Sequence, residues 1–229
     1  MQTIADGVHH ISIGANAFLV DGDQGVTLID AGMPGKLDAI TTALREIGRS
    51  PDDLTAILVT HAHFDHTGSA AAVKDASGAS LAMSPTDARV ARGRDPVTPP
   101  PIATRLGPLA WFMRFIPEAD HVEVDHEVSE ADQANLPDDF TVLDTPGHTP
   151  GHVSFLLDRA GGVMFVGDAA MSSRKGGIVR GIMNVQDPTL DASIAHIATH
   201  DFTAAVFGHS APMTSGAATA FRRFAATLV

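Results

Sequence analysis

The apolar residues of this chain form short runs, and in several of the segments between the runs their spacing changes to that of a helix. Runs of four to seven residues with the pattern of strands occur at residues 8–14, 17–21, 26–30, 56–59, 79–83, 140–144, 153–157, 163–166 and 204–207. Helical spacing, with typical helix starts and stops, occurs at residues 34–48, 67–77, 187–200 and 216–227. Ala15 and Asn16 are predicted to form the turn between the first two strands. This alternation predicts an α/β fold.

A cluster of metal-binding side chains follows the strand predicted at residues 56–59. Within six residues the sequence places His61, His63, Asp65 and His66. In extended chain, His61 and His63 point the same way because side chains two apart share a face. Imidazole and carboxylate are ligands of zinc and of neighbouring transition metals. The cluster therefore predicts a metal site at the carboxyl end of a strand, where α/β folds place their chemistry.

Three further strands end in the same kinds of side chain. His148 lies in a turn with Pro and Gly on both sides, which predicts a rigidly held imidazole. Asp168 follows the strand at 163–166, and His209 follows the strand at 204–207. Since strand-end residues from separate segments meet at one edge of a sheet, we expect these side chains to lie beside the first cluster. His152, just after the turn, is predicted to have a hydrogen-bonded structural role.

Residues 85–118 differ from the rest of the chain. A proline-rich break at 95–101 precedes an apolar piece at 106–116 that contains the only tryptophan. We interpret this region as a partly helical cap inserted over the site, although a helix of the main core is the open alternative. Side chains predicted to contact substrate are Trp111, Phe112 and Phe115 in the cap, and Met171 and Arg174 after Asp168.

Composition narrows the classes of partner and site. The chain has 229 residues and no cysteine, which allows one domain over residues 1–229 and excludes disulfides and thiolate metal sites. A net charge of −12 repels phosphate backbones and argues against nucleic acid as a partner. The first six residues lack a signal-peptide pattern, and no apolar stretch reaches the ~18 residues of a membrane span. We therefore expect a cytoplasmic protein with a small-molecule substrate and no membrane partner. The apolar cap residues would also suit a homodimer.

The four motifs, in this order, resemble those of the metallo-β-lactamase superfamily. They are H-x-H-x-D-H at 61–66, T-P-G-H ending at His148, G-D ending at Asp168 and G-H ending at His209. The resemblance spans residues 8–210 and implies a four-layer αβ/βα sandwich. It also implies that His61, His63 and His148 hold one metal ion, that Asp65, His66 and His209 hold a second, and that Asp168 bridges both. Asp30 matches an aspartate that supports the ligands from behind, and a polar residue at a helix entry is its alternative role.

The resemblance implies hydrolysis by two metal ions, most simply zinc, with iron or manganese as alternatives. A hydroxide bridging the metals would attack an electrophilic carbon or phosphorus, and Asp65 would also relay a proton. We expect a small carboxylic ester, lactone or thioester as substrate. The alternatives are a phosphodiester or phosphotriester hydrolase and a mononuclear-iron sulfur dioxygenase.

Departures from family patterns bear on the substrate. True β-lactamases of the superfamily lack an aspartate at the position of Asp168, so antibiotic hydrolysis is not expected. Glyoxalase II-like thioesterases carry a C-terminal helical region, whereas only twenty residues follow His209 here. The lactonases of the superfamily place a tyrosine near the leaving oxygen, and this chain has none. A lactonase would therefore need another donor, and Ser210 and Arg174 are the candidates.

Overall fold

The chain forms two β-sheets that pack face to face, with helices on the outer face of each sheet. The structure is a computed structural model that describes residues 1–101, 119–137 and 139–228. Each layer buries an apolar face against the next, which is the usual way in which sheets and helices share a core. This is the four-layer αβ/βα sandwich that the motifs implied.

The first sheet has seven strands in chain order. They are β1 (Gln2–Ala5), β2 (Val8–Ile13), β3 (Ala15–Gly22), β4 (Gly25–Ile29), β5 (Leu54–Leu58), β6 (Ser80–Met83) and β7 (His126–Glu127). Strands β1 to β4 pair antiparallel through tight turns, whereas β4 to β7 pair in parallel. Parallel neighbours need crossover connections, and this part of the sheet therefore carries helices between its strands.

Those helices cover the outer face of the first sheet. They are α1 (Leu37–Glu46), the four-residue α2 (Phe64–Thr67), α3 (Ala70–Ser77) and α4 (Pro85–Ala91). In α4, Ser84 caps the first turn by accepting a hydrogen bond from the Asp87 amide, and Pro85 occupies the first helical position. Ala88 and Ala91 of α4 are buried in the core that this sheet shares with its helices.

The second sheet contains β8 (Phe140–Asp144), β9 (Val153–Leu157), β10 (Val163–Phe165) and β13 (Ala204–Val206), in the order β13-β10-β9-β8. The helices α5 (Asp187–Ile197) and α6 (Ala217–Ala225) pack on its outer face. A hairpin of β11 (Ala170–Ser172) and β12 (Ile178–Arg180) lies between β10 and α5 in the chain.

The space between the sheets is filled by the inward side chains of both. Phe18, Ile29 and Leu58 of the first sheet meet Phe155 and Phe165 of the second in one cluster. The rings of Phe18 and Phe165 contact edge to face with centroids 5.6 Å apart, a geometry that adds to the burial of apolar surface. This core fixes the two sheets relative to each other and so fixes the edge at which both sheets end.

The strand and helix predictions agree with the structure to within a few residues at most ends. Ala15 and Asn16 were wrongly predicted as a turn: they belong to β3, and Gly14 turns the chain with a φ of 105°, which favours glycine. β1, β7 and the hairpin of β11 and β12 were not predicted, because strands of two to four residues are too short to show a period.

Half of the predicted cap, residues 102–118, lies outside the described residues, and with it Trp111, Phe112 and Phe115. The first residues of the predicted cap form α4, which packs in the core of the first sheet. Within the described ranges, no helix is both long and apolar enough to cross a membrane.

Candidate metal centre

Four strand ends meet at one edge of the two sheets. Residues 59–63 follow β5, the turn at 145–151 follows β8, Asp168 follows β10 and His209 follows β13. Backbone hydrogen bonds join these ends: the Val153 amide donates to the Thr60 carbonyl at 2.9 Å, and the Gly208 amide donates to the Gly167 carbonyl at 2.9 Å. The side chains that follow the strands are therefore carried by backbone that is already paired.

Three histidines form a first donor group, His61, His63 and His148. Nδ1 of His63 lies 3.1 Å from Nε2 of His61 and 3.0 Å from Nε2 of His148. His61 and His148 are almost fully buried, whereas His63 borders the open side. The three nitrogens thus converge on one point at the base of a cavity.

A second donor group, Asp65, His66 and His209, lies beside the first. Nε2 of His209 is 3.2 Å from Oδ2 of Asp65 and 3.5 Å from Nε2 of His66. Asp65 and His66 both lie on α2, the single helical turn that follows the first donor group.

Asp168 lies between the two groups. Its Oδ2 is 3.5 Å from Nε2 of His148 and 3.2 Å from Nε2 of His209, and its Oδ1 is 3.6 Å from Nε2 of His66. One carboxylate therefore faces nitrogens of both groups, as a bridging ligand would.

Asp30 supports the site from behind. The residue is 2% exposed and adopts a left-handed backbone with a φ of 58°, a conformation that costs free energy unless its surroundings enforce it. Its carboxylate accepts hydrogen bonds from the Thr60 amide at 2.8 Å, from the Thr60 hydroxyl at 2.9 Å and from Nδ1 of His66 at 2.8 Å. These contacts orient the imidazole of His66 and leave its Nε2 facing the site.

In His61 and His148 a hydrogen bond at Nδ1 likewise leaves Nε2 with a free lone pair that faces the site. Since Nδ1 of His61 contacts the Thr60 hydroxyl at 3.0 Å and that hydroxyl donates to Asp30, Nδ1 carries the proton and Nε2 is free. Nδ1 of His148 donates to Oδ1 of Asn184 at 3.4 Å, which leaves its Nε2 free as well. Hydrogen bonds of this kind fix the tautomer of a metal-binding histidine.

Burial keeps the first donor group neutral. Burial lowers the pKa of His61 well below its ordinary value and lowers the pKa of His63 to about 4. The pKa of His148 is also lowered, again mainly by burial. At neutral pH these imidazoles are therefore neutral, with one ring nitrogen free of a proton, which is the form that binds a metal ion.

The second donor group is held in a field of carboxylates. Burial lowers the pKa of His66, but the negative charges of Asp30, Asp168 and Asp65 outweigh it and raise that pKa to about 9. Hydrogen bonds to Asp168 and Asp65 raise the pKa of His209 to about 10. Burial opposes ionisation of Asp168, yet the facing histidines hold its pKa well below the ordinary value. This half of the site therefore favours positive charge.

The donor set suits divalent metal ions. Nδ1 of His63 faces Nε2 of His61 and Nε2 of His148 at 3.0–3.1 Å, and one cation can accept all three nitrogens, whereas a single proton can lie between only two of them. All donors are imidazole nitrogen or carboxylate oxygen, which zinc, iron and manganese accept. The structure thus brings together all seven predicted ligands, and their role as ligands stays a prediction.

His152 lies beside the site but belongs to neither donor group. His152 is buried, contacts the Thr145 hydroxyl through Nδ1 at 2.9 Å and accepts the Asp168 amide on Nε2 at 3.1 Å. The prediction of a hydrogen-bonded structural role for His152 is confirmed, and its contact holds the backbone that carries Asp168.

A cavity of about 1070 Å³ opens above the two donor groups. Its floor includes His63, Asp65, His148, Asp168 and His209, and its walls include Phe64, Val90, Pro96, Val97, Met171, Ile182 and Met183. Residues 95–97, 99 and 100 of the predicted cap and residues 119–121, which follow it, form one wall. Most of these wall residues are apolar, which is typical of small-molecule sites.

The predicted substrate contacts are placed unequally. Met171 lines the cavity, whereas Arg174 lies exposed in the loop between β11 and β12 and is not among the described residues of the cavity wall. Trp111, Phe112 and Phe115 lie outside the described residues. Contact of these side chains with substrate stays a prediction.

Sequence reasoning missed three polar residues that hold the site together. Asn184 contacts His148, and Asn16 donates to the carbonyls of Phe207 and Ser210 on either side of His209. Asp87 accepts hydrogen bonds from both ligand-bearing turns of the first donor group. Of the three, only Asp87 lies in a recognisable sequence pattern. That pattern, Ser84-Pro85-Thr86-Asp87, indicates the start of a helix and gives no indication of a contact with the site.

Comparison with known proteins agrees with this geometry. Residues 13–202 match the sequence model of the Metallo-beta-lactamase superfamily. The chain is 25% identical over 228 residues to the probable metallo-hydrolase YflN of Bacillus subtilis, an alignment that covers 92% of this chain and 86% of that protein.

Two relatives with more specific names match over part of their length. The hydroxyacylglutathione hydrolase of Cereibacter sphaeroides is 34% identical over 128 residues, which is 56% of this chain and 38% of that protein. An N-acyl homoserine lactonase of Bacillus cereus is 25% identical over 178 residues, which is 67% of this chain and 62% of the lactonase.

Among solved structures, BJP-1, a subclass B3 metallo-beta-lactamase of Bradyrhizobium japonicum, superimposes with a TM-score of 0.73 at 21% identity. The superposition covers 99% of this chain and 89% of BJP-1. A likeness at this identity concerns the fold alone.

Proposed function

We propose, from the premise that the chain belongs to the metallo-β-lactamase superfamily, that it hydrolyses a small carboxylic ester, lactone or thioester with two bound metal ions. The observation that carries the proposal is the convergence of the two donor groups on Asp168 at the base of one cavity. His61, His63 and His148 would hold one ion, Asp65, His66 and His209 the other, and Asp168 both.

Metal ions bound by these residues would supply a hydroxide nucleophile at neutral pH and would polarise the bond under attack. The residues of the chain do the rest. Asp30 and Asn184 hold the imidazoles of His66 and His148 in orientation. Asp65 faces the cavity and is kept ionised, because the neighbouring histidines outweigh burial and lower its pKa. Its carboxylate can therefore accept the proton that water loses on becoming the hydroxide nucleophile.

Substrate size and polarity follow from the cavity walls. Val90, Val97, Met171 and Ile182 offer apolar surface to an acyl chain, and their exposure to the cavity gives that chain a place to bind. The names of two relatives, a hydroxyacylglutathione hydrolase and an N-acyl homoserine lactonase, favour an acyl substrate over a phosphate ester. We therefore place a carboxylic acyl compound ahead of a phosphodiester or phosphotriester.

The leaving group has little help from the chain. There is no tyrosine, and neither Ser210, whose hydroxyl accepts the Ser172 amide at 2.8 Å, nor Arg174 is among the described residues that line the cavity. Good leaving groups need less proton donation than poor ones. Activated aryl esters and thioesters should therefore react faster than unstrained alkyl lactones, and log kcat/KM should fall as the pKa of the leaving group rises.

The test combines metal analysis with a substrate panel. Purified protein is loaded with zinc, iron or manganese in turn, and bound metal is counted by mass spectrometry. Each form is assayed on nitrophenyl esters, thioesters, lactones and nitrophenyl phosphodiesters, with Asp168→Asn as the control for contaminating hydrolases. Two ions per chain with acyl hydrolysis support the proposal. One iron per chain with oxygen uptake on a persulfide, or turnover of phosphodiesters alone, would overturn it.

A further inference from the structure

A buried carboxylate outside both donor groups joins the two turns that carry the first donor group. Asp87, in the first turn of α4, is 2% exposed. Its Oδ2 accepts hydrogen bonds from the Ala62 amide at 2.9 Å and from the Thr149 hydroxyl at 2.8 Å. Its Oδ1 accepts the Gly151 amide at 3.0 Å. The carboxylate thus holds two segments that are far apart in the sequence.

The residues that Asp87 contacts are the immediate neighbours of metal-binding positions. Ala62 separates His61 from His63, and Thr149 follows His148 directly. No residue of the second donor group lies beside any of these contacts. His66 is instead oriented by Asp30. Asp30 therefore serves both halves of the centre, through His66 and through the Thr60 hydroxyl beside His61, whereas the contacts of Asp87 concern the first donor group alone.

The carboxylate is held by a rigid element. Helix α4 is anchored by Ala88 and Ala91 in the core of the first sheet, and the Asp87 amide is fixed by its bond to the hydroxyl of Ser84. The cap of the helix is supplied by Ser84, so the carboxylate of Asp87 is not needed for capping.

The approach of Asp87 to the second turn depends on glycine. A Cβ built on Gly151 would overlap Oδ1 of Asp87 and lie 2.6 Å from Oγ of Ser84. Only a residue without a side chain allows the amide at this position to reach the carboxylate. The contact therefore depends both on the carboxylate of Asp87 and on a glycine at position 151.

A contribution to folding stability does not by itself explain why the carboxylate of Asp87 is buried here. Burial raises the pKa of Asp87, against the opposing effect of its three hydrogen bonds, and among the described residues it forms no ion pair with Lys or Arg. A buried charge without such a partner generally costs free energy. A residue that costs stability yet ties ligand-bearing turns together is best explained by the geometry that it enforces.

We propose that Asp87 is a positioning residue that holds residues 60–63 and the turn at 145–151 in register, and so sets the affinity of the first donor group for its metal ion. The inference rests on the proposed metal centre. Asp87 acts through Ala62, Thr149 and Gly151 and does not touch the metal or the substrate.

The test isolates one metal site at a time. In a His209→Ala background, which disables the second donor group, we expect one bound zinc, and adding Asp87→Ala should weaken it at least ~10-fold in chelator competition. In a His148→Ala background, which disables the first donor group, Asp87→Ala should leave the remaining zinc affinity unchanged. A loss of zinc affinity in the first background but not in the second would show that Asp87 acts on the first donor group.

Graded variants separate positioning from a general loss of folding. Asp87→Asn keeps an acceptor for Ala62 and Thr149 but turns its NH2 group toward the Gly151 amide, so it should weaken zinc less than Asp87→Ala. Gly151→Ala perturbs the same contact from the other side and should weaken the same site. Asp125→Asn is the matched control, because Asp125 also accepts a backbone amide, that of Leu81, but contacts neither turn.

A readout without metal tests the contact itself. In the presence of chelator, Asp87→Ala should speed hydrogen exchange at the amides of Ala62 and Gly151 at least ~10-fold relative to Asp125→Asn, since each amide loses its acceptor. Unchanged zinc affinity in Asp87→Ala, Asp87→Asn and Gly151→Ala would overturn the inference while leaving the metal centre standing. Fewer than two zinc ions in the unmodified protein would instead overturn the proposed function.

Discussion

At the scale of single residues, Asp168 links the two halves of the candidate centre. Its two carboxylate oxygens face His148 on one side and His66 and His209 on the other. The residue is held in place from both directions, because His152 accepts its amide proton and Gly208 leaves room for its carboxylate. The position of one side chain thus determines whether both groups can act together.

Replacing this carboxylate tests its bridging position. We expect Asp168→Asn to lose one of the two metal ions and at least ~100-fold in kcat/KM, because an amide offers one neutral oxygen in place of two charged ones. The measurements are metal content and steady-state kinetics on a nitrophenyl ester. Near-normal turnover with both ions retained would show that another residue bridges them.

The substitution Gly208→Ala adds one methyl group beside the carboxylate of Asp168 and so tests whether the space there is needed. A Cβ on Gly208 would overlap Oδ1 of Asp168 and lie 2.7 Å from Cε1 of His66. We therefore expect Gly208→Ala to weaken metal binding at least ~10-fold while the chain still folds, since the backbone at this position is not left-handed. Gly177→Ala is the control, because a Cβ there meets only the Ser173 hydroxyl at 3.5 Å. Equal metal affinity in the two variants would contradict the crowding argument.

At the scale of elements, each ligand-bearing segment begins where a buried strand ends. Side chains of strands β5, β8, β10 and β13 pack in the core between the sheets or in the cores between each sheet and its helices. The residues that follow each strand lie at the site. The strands do not move independently, because hydrogen bonds such as those from Val153 to Thr60 and from Gly208 to Gly167 join their ends. Packing of the strands is therefore what aligns the ligands.

The packing between the sheets can be tested at Phe165. This ring is 1% exposed and contacts both Phe18 and Phe140, so Phe165→Ala should lower the free energy of unfolding by about 3–5 kcal/mol. Val179→Ala, in the exposed part of β12, should change it by less than about 0.5 kcal/mol. Denaturant unfolding in excess chelator measures both without a contribution from metal. Similar values for the two variants would mean that this core is loosely packed.

At the scale of the whole molecule, the site lies where both sheets and their connections come together. Its ligands come from segments more than 140 residues apart, from His61 to His209. A ligand that binds only the folded arrangement stabilises the fold by mass action. Metal binding and global stability should therefore be coupled.

Metal removal tests this coupling. With free zinc at ~100 times the dissociation constant, binding contributes about 2.7 kcal/mol, so chelation should lower the Tm by roughly 5–10 °C for a chain of this size. The shift should be smaller in Asp168→Asn, which binds less metal. An unchanged Tm in the unmodified protein would show that the donor groups do not bind metal tightly in the folded state.

Much of the architecture was visible in the sequence because it depends on local pattern. Short apolar runs and helical spacing predicted most strands and helices, and the strand-end position of His61, His148, Asp168 and His209 predicted their convergence. The limits were also local: Asn16 was predicted to lie in a turn although it belongs to β3, and the strands β11 and β12 are too short to show a period. Such short elements form because the rest of the fold presents hydrogen-bond partners to them.

The supporting residues were decided by the tertiary structure alone. Asp87, Asn184 and Asn16 contact groups that lie 25 or more residues away along the chain, and nothing in their local pattern shows which carbonyl, amide or imidazole they will meet. The sequence by itself determined the donor types and the order in which strands deliver them. Their protonation, their tautomers and the field of Asp30 and Asp168 arose only when folding excluded water and brought distant charges within a few ångströms, because desolvation and Coulomb energies depend on three-dimensional distance.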